Sequence, residues 1–185
     1  MPMTKQRNED FSTIANLIYN CIVGAGTTHR LEWADAEIYG CVEKTDLKNG
    51  KRKFRIRLSE AAYNYWKTYF PDVSIDNLPH SKRAGFSDYF WYEHVMPRKV
   101  FKQILLNKYK NDPSNFNVNF ILEVIEKCGR GVITLHSESQ AMDSTYLRSE
   151  MPKGWDYETN FSPVECRLAE AGIPIHDEYF ETLDF

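Results

Sequence analysis

The sequence predicts an α+β fold: a small antiparallel sheet with helices packed around it, in a single domain spanning residues 1–185. Three observations lead there. At 185 residues the chain is long enough for one well-buried core and short of what two require. Around Asn49–Gly50, the strongest short-range hairpin signal, apolar and basic residues alternate, with Phe54, Ile56 and Leu58 on one face and Arg55 and Arg57 on the other. Elsewhere apolar residues recur at helical spacing in segments punctuated by Ser, Asp, Gly and Pro. Aromatic residues make up 14% of the chain, enough for a thick core with rings left over for stacking.

Each element follows from its pattern. Residues 10–22 place Phe11, Ile14, Leu17, Ile18 and Cys21 on one helical stripe, and "VGAGTT" ends it. A short second helix is predicted over 29–36, and a β-hairpin over about 37–58. Ser59 caps a helix whose Ala62, Tyr65, Trp66 and Tyr69 form an aromatic stripe. The irregular stretch "PDVSIDNLPHSKRAGFSD" is long enough to be functional or mobile. A short strand over 91–95 leads to Pro97, which starts a helix carrying Val100, Phe101, Ile104, Leu105 and Tyr109 inward. Asp112–Pro113–Ser114 starts the next helix, which ends at Cys128–Gly129. "GVITL" reads as a buried strand, and Ser137 with Gln140 as a capping box for a helix to about Tyr146. Ser162, Pro163 and Glu165 open a last helix that Gly172 and Pro174 close.

Composition excludes several classes. No apolar run approaches the roughly eighteen residues of a membrane span, and the polar "MPMTKQRNEDF" does not have the pattern of a signal peptide. Four cysteines stand far apart without Cys-x-x-Cys spacing, which argues against a thiolate zinc site and for a reducing cytoplasm. Cys21 and Cys128 read as buried apolar residues at helix ends. Charge is unevenly spread. Residues 150–185 hold nine acids against Lys153 and Arg167, whereas residues 1–149 carry a net charge of about +4. A mildly basic body is compatible with nucleic acid. The acidic segment also carries Tyr179, Phe180, Leu183 and Phe185, so it is expected to dock, on this chain or on a protein partner.

The stretch "WYEHVMPRK" sets an acid beside a histidine at the end of a predicted strand. Histidine suits general-base work near neutral pH, and a carboxylate is a hard ligand for Mg²⁺. Alternation sends Glu93 and His94 to opposite faces, so they serve one site only where the strand ends and the backbone turns. This stretch resembles the first motif of HNH (ββα-metal) nucleases, in which an acid–His pair ends a strand and an aliphatic residue and Pro follow. "GVITLHSESQAMD" is similar in kind to the family's second strand and helix, with two helices inserted between the motifs over about 98–127. The resemblance implies a divalent cation, Mg²⁺ or Mn²⁺. It also implies that His94 activates water and that Glu93 binds the metal, with His136, Glu138, Gln140 or Asp143 completing the site. The family's middle Asn has no assigned counterpart; Asn115, Asn117 and Asn119 match by type alone.

A second constellation is basic and aromatic. Lys82, Arg83, Arg98 and Lys99 surround Phe86, Tyr89, Phe90, Trp91 and Tyr92, pairing cations for phosphates with rings for bases. Arg148 adds a further cation, and the hairpin holds seven between residues 44 and 57. The sequence therefore points first to a metal-dependent endonuclease acting on DNA. Two other readings stand beside it: a non-catalytic accessory or inhibitor protein that binds nucleic acid or protein, and a metal-independent ribonuclease using His94 and His136 together.

Overall fold

The computed structural model describes residues 5–25, 45–48, 51–128, 131–159, 165–178 and 180–182. The helix expected over 29–36, the part of the hairpin before residue 45 and the Asn49–Gly50 turn itself lie outside these residues. The strands flanking that turn, β1 (Thr45–Lys48) and β2 (Lys51–Leu58), pair antiparallel with Lys48 opposite Lys51.

The expected α+β class holds, and the sheet is mixed. Its order is β1-β2-β4-β3, where β3 is Phe90–His94 and β4 is Gly131–Leu135. β3 and β4 are antiparallel along their whole length, while β4 meets the end of β2 in parallel. The parallel pair departs from the all-antiparallel expectation for a topological reason. Between β2 and β4 the chain passes through three helices, and a helical crossover lets neighbouring strands run the same way. A final strand, β5 (Phe180–Thr182), pairs antiparallel with β2.

Period-two alternation builds a core on each face of this sheet. On one side Ile56, Leu58, Phe90, Ile133 and Leu135 meet Ala62 and Trp66 of α2 (Glu60–Tyr69), with Phe70, Ile75 and Leu78 from the following turns. On the other side Val132 meets a larger cluster. That cluster draws Ile18 and Ile22 from α1 (Lys5–Ala25), Phe101 and Leu105 from α3 (Arg98–Asn111), Val124 and Ile125 from α4 (Val118–Cys128), and Met142 from α5 (His136–Asp143). Burying a side chain of this size contributes about 1.5–3 kcal/mol, so both layers hold the strands between them. Cys128 is buried at the end of α4, as expected. Cys21 is only partly buried, because α1 continues past it to Ala25.

Local polar chemistry sets the helix ends. Ser59 caps α2, its Oγ accepting the Ala62 N–H at 3.1 Å. Asp112 closes α3 instead of opening α4: its carboxylate accepts from Lys108 Nζ, Asn115 and Ser114. The next helix therefore begins only at Val118, capped by Asn117, whose Oδ1 accepts the Phe120 N–H at 3.1 Å. The expected capping box of Ser137 with Gln140 is also displaced. Glu138 is the residue that reaches back, accepting the Leu135 N–H at 2.9 Å, while the Ser137 hydroxyl donates to Asp88.

The described part of the acidic C-terminal segment docks on this chain. After α6 (Cys166–Glu170), Gly172 turns the backbone at φ 73°, and β5 runs along β2. Phe180 sits edge-on to Trp66 at 5.3 Å, His176 stacks on Tyr63 at 3.8 Å, and Arg57 holds Asp177 at 3.2 Å. Among the described residues no helix is long and apolar enough to cross a membrane.

Candidate functional site

β3, α3, α4, β4 and α5 follow one another in the chain, and β3 and β4 are neighbours with α5 packed over them. A strand pair followed by a helix thus forms, with two helices inserted, as the sequence predicts. Alternation along β3 sends Phe90, Tyr92 and His94 toward the α2 face. Trp91 and Glu93 go toward the α5 face. The acid and the histidine are neighbours in sequence and occupy different environments.

Glu93 is tied to Arg167. The guanidinium is 2% exposed and its Nη1 donates to Glu93 Oε1 at 3.1 Å. Further Arg167 donors meet the backbone carbonyls of His94, Leu147 and Arg148, so all three guanidinium nitrogens are engaged. Glu93 Oε2 accepts from Ser139 Oγ of α5 at 3.1 Å, which leaves both carboxylate oxygens engaged. Burial pushes the Glu93 carboxyl above the usual range. Arg167 and Ser139 pull it down, and the nearby charge of Asp143 pushes it further up. Arg167 was not singled out from sequence. Its signal was available: with Lys153 it is one of only two cations in an acidic segment, and it adjoins the buried Leu168.

His94 lies beside Tyr92, ring centroids 5.4 Å apart at 79°, and its Nε2 is 3.2 Å from Arg98 Nη2. A guanidinium only donates, so the imidazole accepts at Nε2 and carries its proton at Nδ1. Burial, followed by the charges of Arg98 and Arg167, lowers its pKa to about 4. The ring is neutral at pH 7, and the lone pair that a general base would use is occupied by Arg98.

The other expected ligands do not converge on Glu93 and His94. Gly131 stands opposite His94 and Leu135 opposite Phe90. At about 3.4 Å per residue, His136 therefore lies roughly 17 Å from His94 along the ladder. A shared metal needs ligand atoms within about 4 Å of each other, given bonds near 2 Å. His94 and His136 cannot share a metal, nor act together as the ribonuclease reading requires. His136 stacks on Tyr89 at 4.2 Å and lies 5.4 Å from Trp91. Glu138 is committed to Leu135 and Ser59. Asp143 shares a helix face with Ser139 near Glu93, and pairs with Arg148 at 3.9 Å. Among the described residues no three His, Cys, Asp or Glu side chains form a metal-binding group. The donor set as it stands does not fit a divalent cation, because Arg167 already supplies the positive charge at Glu93.

The basic residues lie at both ends of β3. Lys82 and Arg83 are exposed on a 3-10 turn that Ser81 caps and Gly85 ends at φ 79°. A hydrogen bond from Phe90 N–H to Pro79 O at 2.9 Å closes this loop onto the start of β3. Arg98 and Lys99 are exposed in the first turn of α3, which contains no acid. Cations there oppose the helix dipole at a cost of about 0.3–1 kcal/mol each; Arg98 also meets His94, whereas Lys99 has no ion pair among the described residues. Trp91, 43% exposed, stands between the two pairs. Arg148 is exposed near the end of α5 and is drawn toward Asp143. The chain matches no protein-family model, and neither the curated proteins nor the solved structures yield a match to it.

Proposed function

We propose that the chain binds nucleic acid along β3 and does so without hydrolysing it. One observation carries this reading: exposed cations stand at both ends of a strand that presents an exposed indole near its start. Lys82, Arg83 and Lys99 form no ion pair among the described residues, which leaves their charge available to phosphates. β3 itself is roughly 13 Å long, a span that several phosphates of a strand would cover at about 3.4 Å or more each. Glu93, whose charge would repel a backbone, is only 13% exposed and is paired with Arg167. We also infer a cytoplasmic setting, supported by the free thiols of Cys21, Cys128 and Cys166.

The test is binding of a labelled DNA oligonucleotide, read by fluorescence anisotropy, alongside a plasmid-nicking assay in Mg²⁺ and in Mn²⁺. Salt-dependent binding without nicking is the expected result. A hydrolytic reading keeps one observation in its favour: Ser139 and Asp143 lie on the α5 face above Glu93. It would require Arg167 to leave Glu93 and Arg98 to leave His94. Metal-dependent nicking abolished by both Glu93→Ala and His94→Ala would favour that reading over ours. No binding to any oligonucleotide at low salt would defeat both.

A further inference from the structure

We infer that Trp91 and His136 form a stacking platform for an unpaired base, so that the ligand at β3 is single-stranded or locally opened nucleic acid. The inference rests on the nucleic-acid reading above and specifies its substrate. Three rings meet at the start of the β3–β4 ladder. Tyr89 is buried and lies nearly parallel to His136, with a 4.2 Å centroid separation and 21° between planes. His136 is 5.4 Å from Trp91, at 52°. The Nδ1 of His136 is buried and has no hydrogen-bond partner among the described residues. Its backbone N–H donates to Tyr89 O at 2.8 Å. The ring is thus positioned by its backbone and by its faces, not by a ligand-orienting hydrogen bond. That is the arrangement of a packing surface and not of a metal ligand, whose second nitrogen is usually held by a hydrogen bond.

The outermost of the three rings is Trp91, at 43% the most exposed tryptophan among the described residues. Leaving an indole in water forgoes the hydrophobic gain of covering it, and an aromatic or purine face is a flat cover of matching size. Bases inside a duplex already stack on each other, so only an unpaired base can offer its face. Base–aromatic stacking is strong enough to select single strands without reading their sequence. Charge supplies the second half of the argument. Pro79 is hydrogen-bonded to Phe90, and Lys82 and Arg83 follow Pro79 by three and four residues. At 3.8 Å per residue their backbones lie no more than about 11–15 Å from Pro79. Two flexible cations are therefore within reach of phosphates one or two nucleotides from a base stacked on Trp91.

The decisive experiment compares a twenty-nucleotide oligo-dT with a duplex of equal length, using the full chain at low salt. The expected result is tighter binding of the single strand, with quenching of tryptophan fluorescence that Trp91→Phe removes. Trp91→Ala should weaken single-strand binding about ten-fold or more while leaving duplex binding within two-fold. Equal weakening of both, or no weakening of either, would overturn the inference and leave the nucleic-acid reading standing. Absence of binding to both ligands in the wild-type chain would instead remove the underlying reading. Sedimentation supplies a further check: a dimer that Trp91→Ala dissociates would mean that a second copy covers the indole, and the inference would fall. Should Trp91→Ala lower the melting temperature, His136→Ala gives the second route, and it too must reduce the single-strand preference.

Discussion

Arg167 and Glu93 form an ion pair 74 positions apart in the chain, Nη1 to Oε1 at 3.1 Å, with the guanidinium almost wholly removed from water. This contact joins the C-terminal segment to β3, and it assigns to structure a carboxylate that the sequence suggested for metal binding. A buried pair of this kind adds little over a well-packed apolar substitute, because desolvation offsets the attraction. Removing one partner is costly, because the other charge is stranded.

The first prediction follows from that asymmetry. Arg167→Met should destabilise the fold by about 3–5 kcal/mol, measured by urea denaturation, since it leaves Glu93 buried without its cation. The double variant Arg167→Met with Glu93→Gln should recover a large part of the loss. A single Arg167→Met variant as stable as the wild type would show that the pair does not hold the segment.

The second prediction concerns pH. His94 has a folded pKa of about 4 against an ordinary 6.5, so the unfolded chain binds its proton first. Stability from this group is complete above about pH 6.5 and is lost as pH falls toward 4, by roughly 3 kcal/mol in all at about 1.4 kcal/mol per unit. Glu93 acts in the opposite sense. Its raised pKa adds stability at low pH that disappears as pH rises through its folded value. Comparing wild type with His94→Gln isolates the histidine. The stability difference between them should shrink in favour of the variant between pH 6.5 and 4. A difference independent of pH over that window would contradict the burial of the imidazole.

Gly131 gives the third. It faces the Tyr92 ring so closely that a Cβ there would fall 1.6 Å from the Tyr92 oxygen. Gly131→Ala must push the phenol aside, disturbing the Tyr92–His94 contact as well. The expected cost is about 1–3 kcal/mol. Tyr92→Ala should relieve it, so the two substitutions should combine with less than additive loss in a double-mutant cycle. Strict additivity would show that the ring does not lie over the glycine.

How much of this was legible beforehand depends on range. The cap at Ser59, the two-faced character of β3 and the strand–helices–strand–helix order around it all follow from local spacing. The separation of His94 from His136 does not, because it is fixed by the register of β3 on β4, whose paired positions lie 45 residues apart at Phe90–Leu135 and 37 apart at His94–Gly131. The acid–histidine pair looked chemical for the same reason. Arg167, the partner of Glu93, becomes visible only when the chain returns from its C-terminal segment, whereas Arg98 stands four residues after His94 and meets it through the turn into α3. The docking of the acidic segment was anticipated from Phe180 among the acids. Its partner, the Trp66 and Tyr63 side of α2, was not.

The last prediction tests where phosphates are held. If Lys82, Arg83, Arg98 and Lys99 contact the backbone of a single strand, each contact releases condensed counterions, and log affinity falls with log salt by about 0.7 per phosphate. Replacing all four by Ala should flatten that slope by up to about 3 units while leaving any tryptophan quenching by a short oligonucleotide detectable at low salt. The two pairs can be separated, because they lie at opposite ends of β3. Lys82→Ala with Arg83→Ala should act on oligonucleotides long enough to span only the Trp91 end, whereas Arg98→Ala with Lys99→Ala should matter only for longer ones. Arg98→Ala has a second consequence that marks it apart: it frees His94 Nε2 and removes the adjacent positive charge, so the histidine pKa should rise. A salt slope unchanged by the quadruple substitution would move the phosphate contacts off β3, and the hairpin cations of residues 44–57 would be the next to replace.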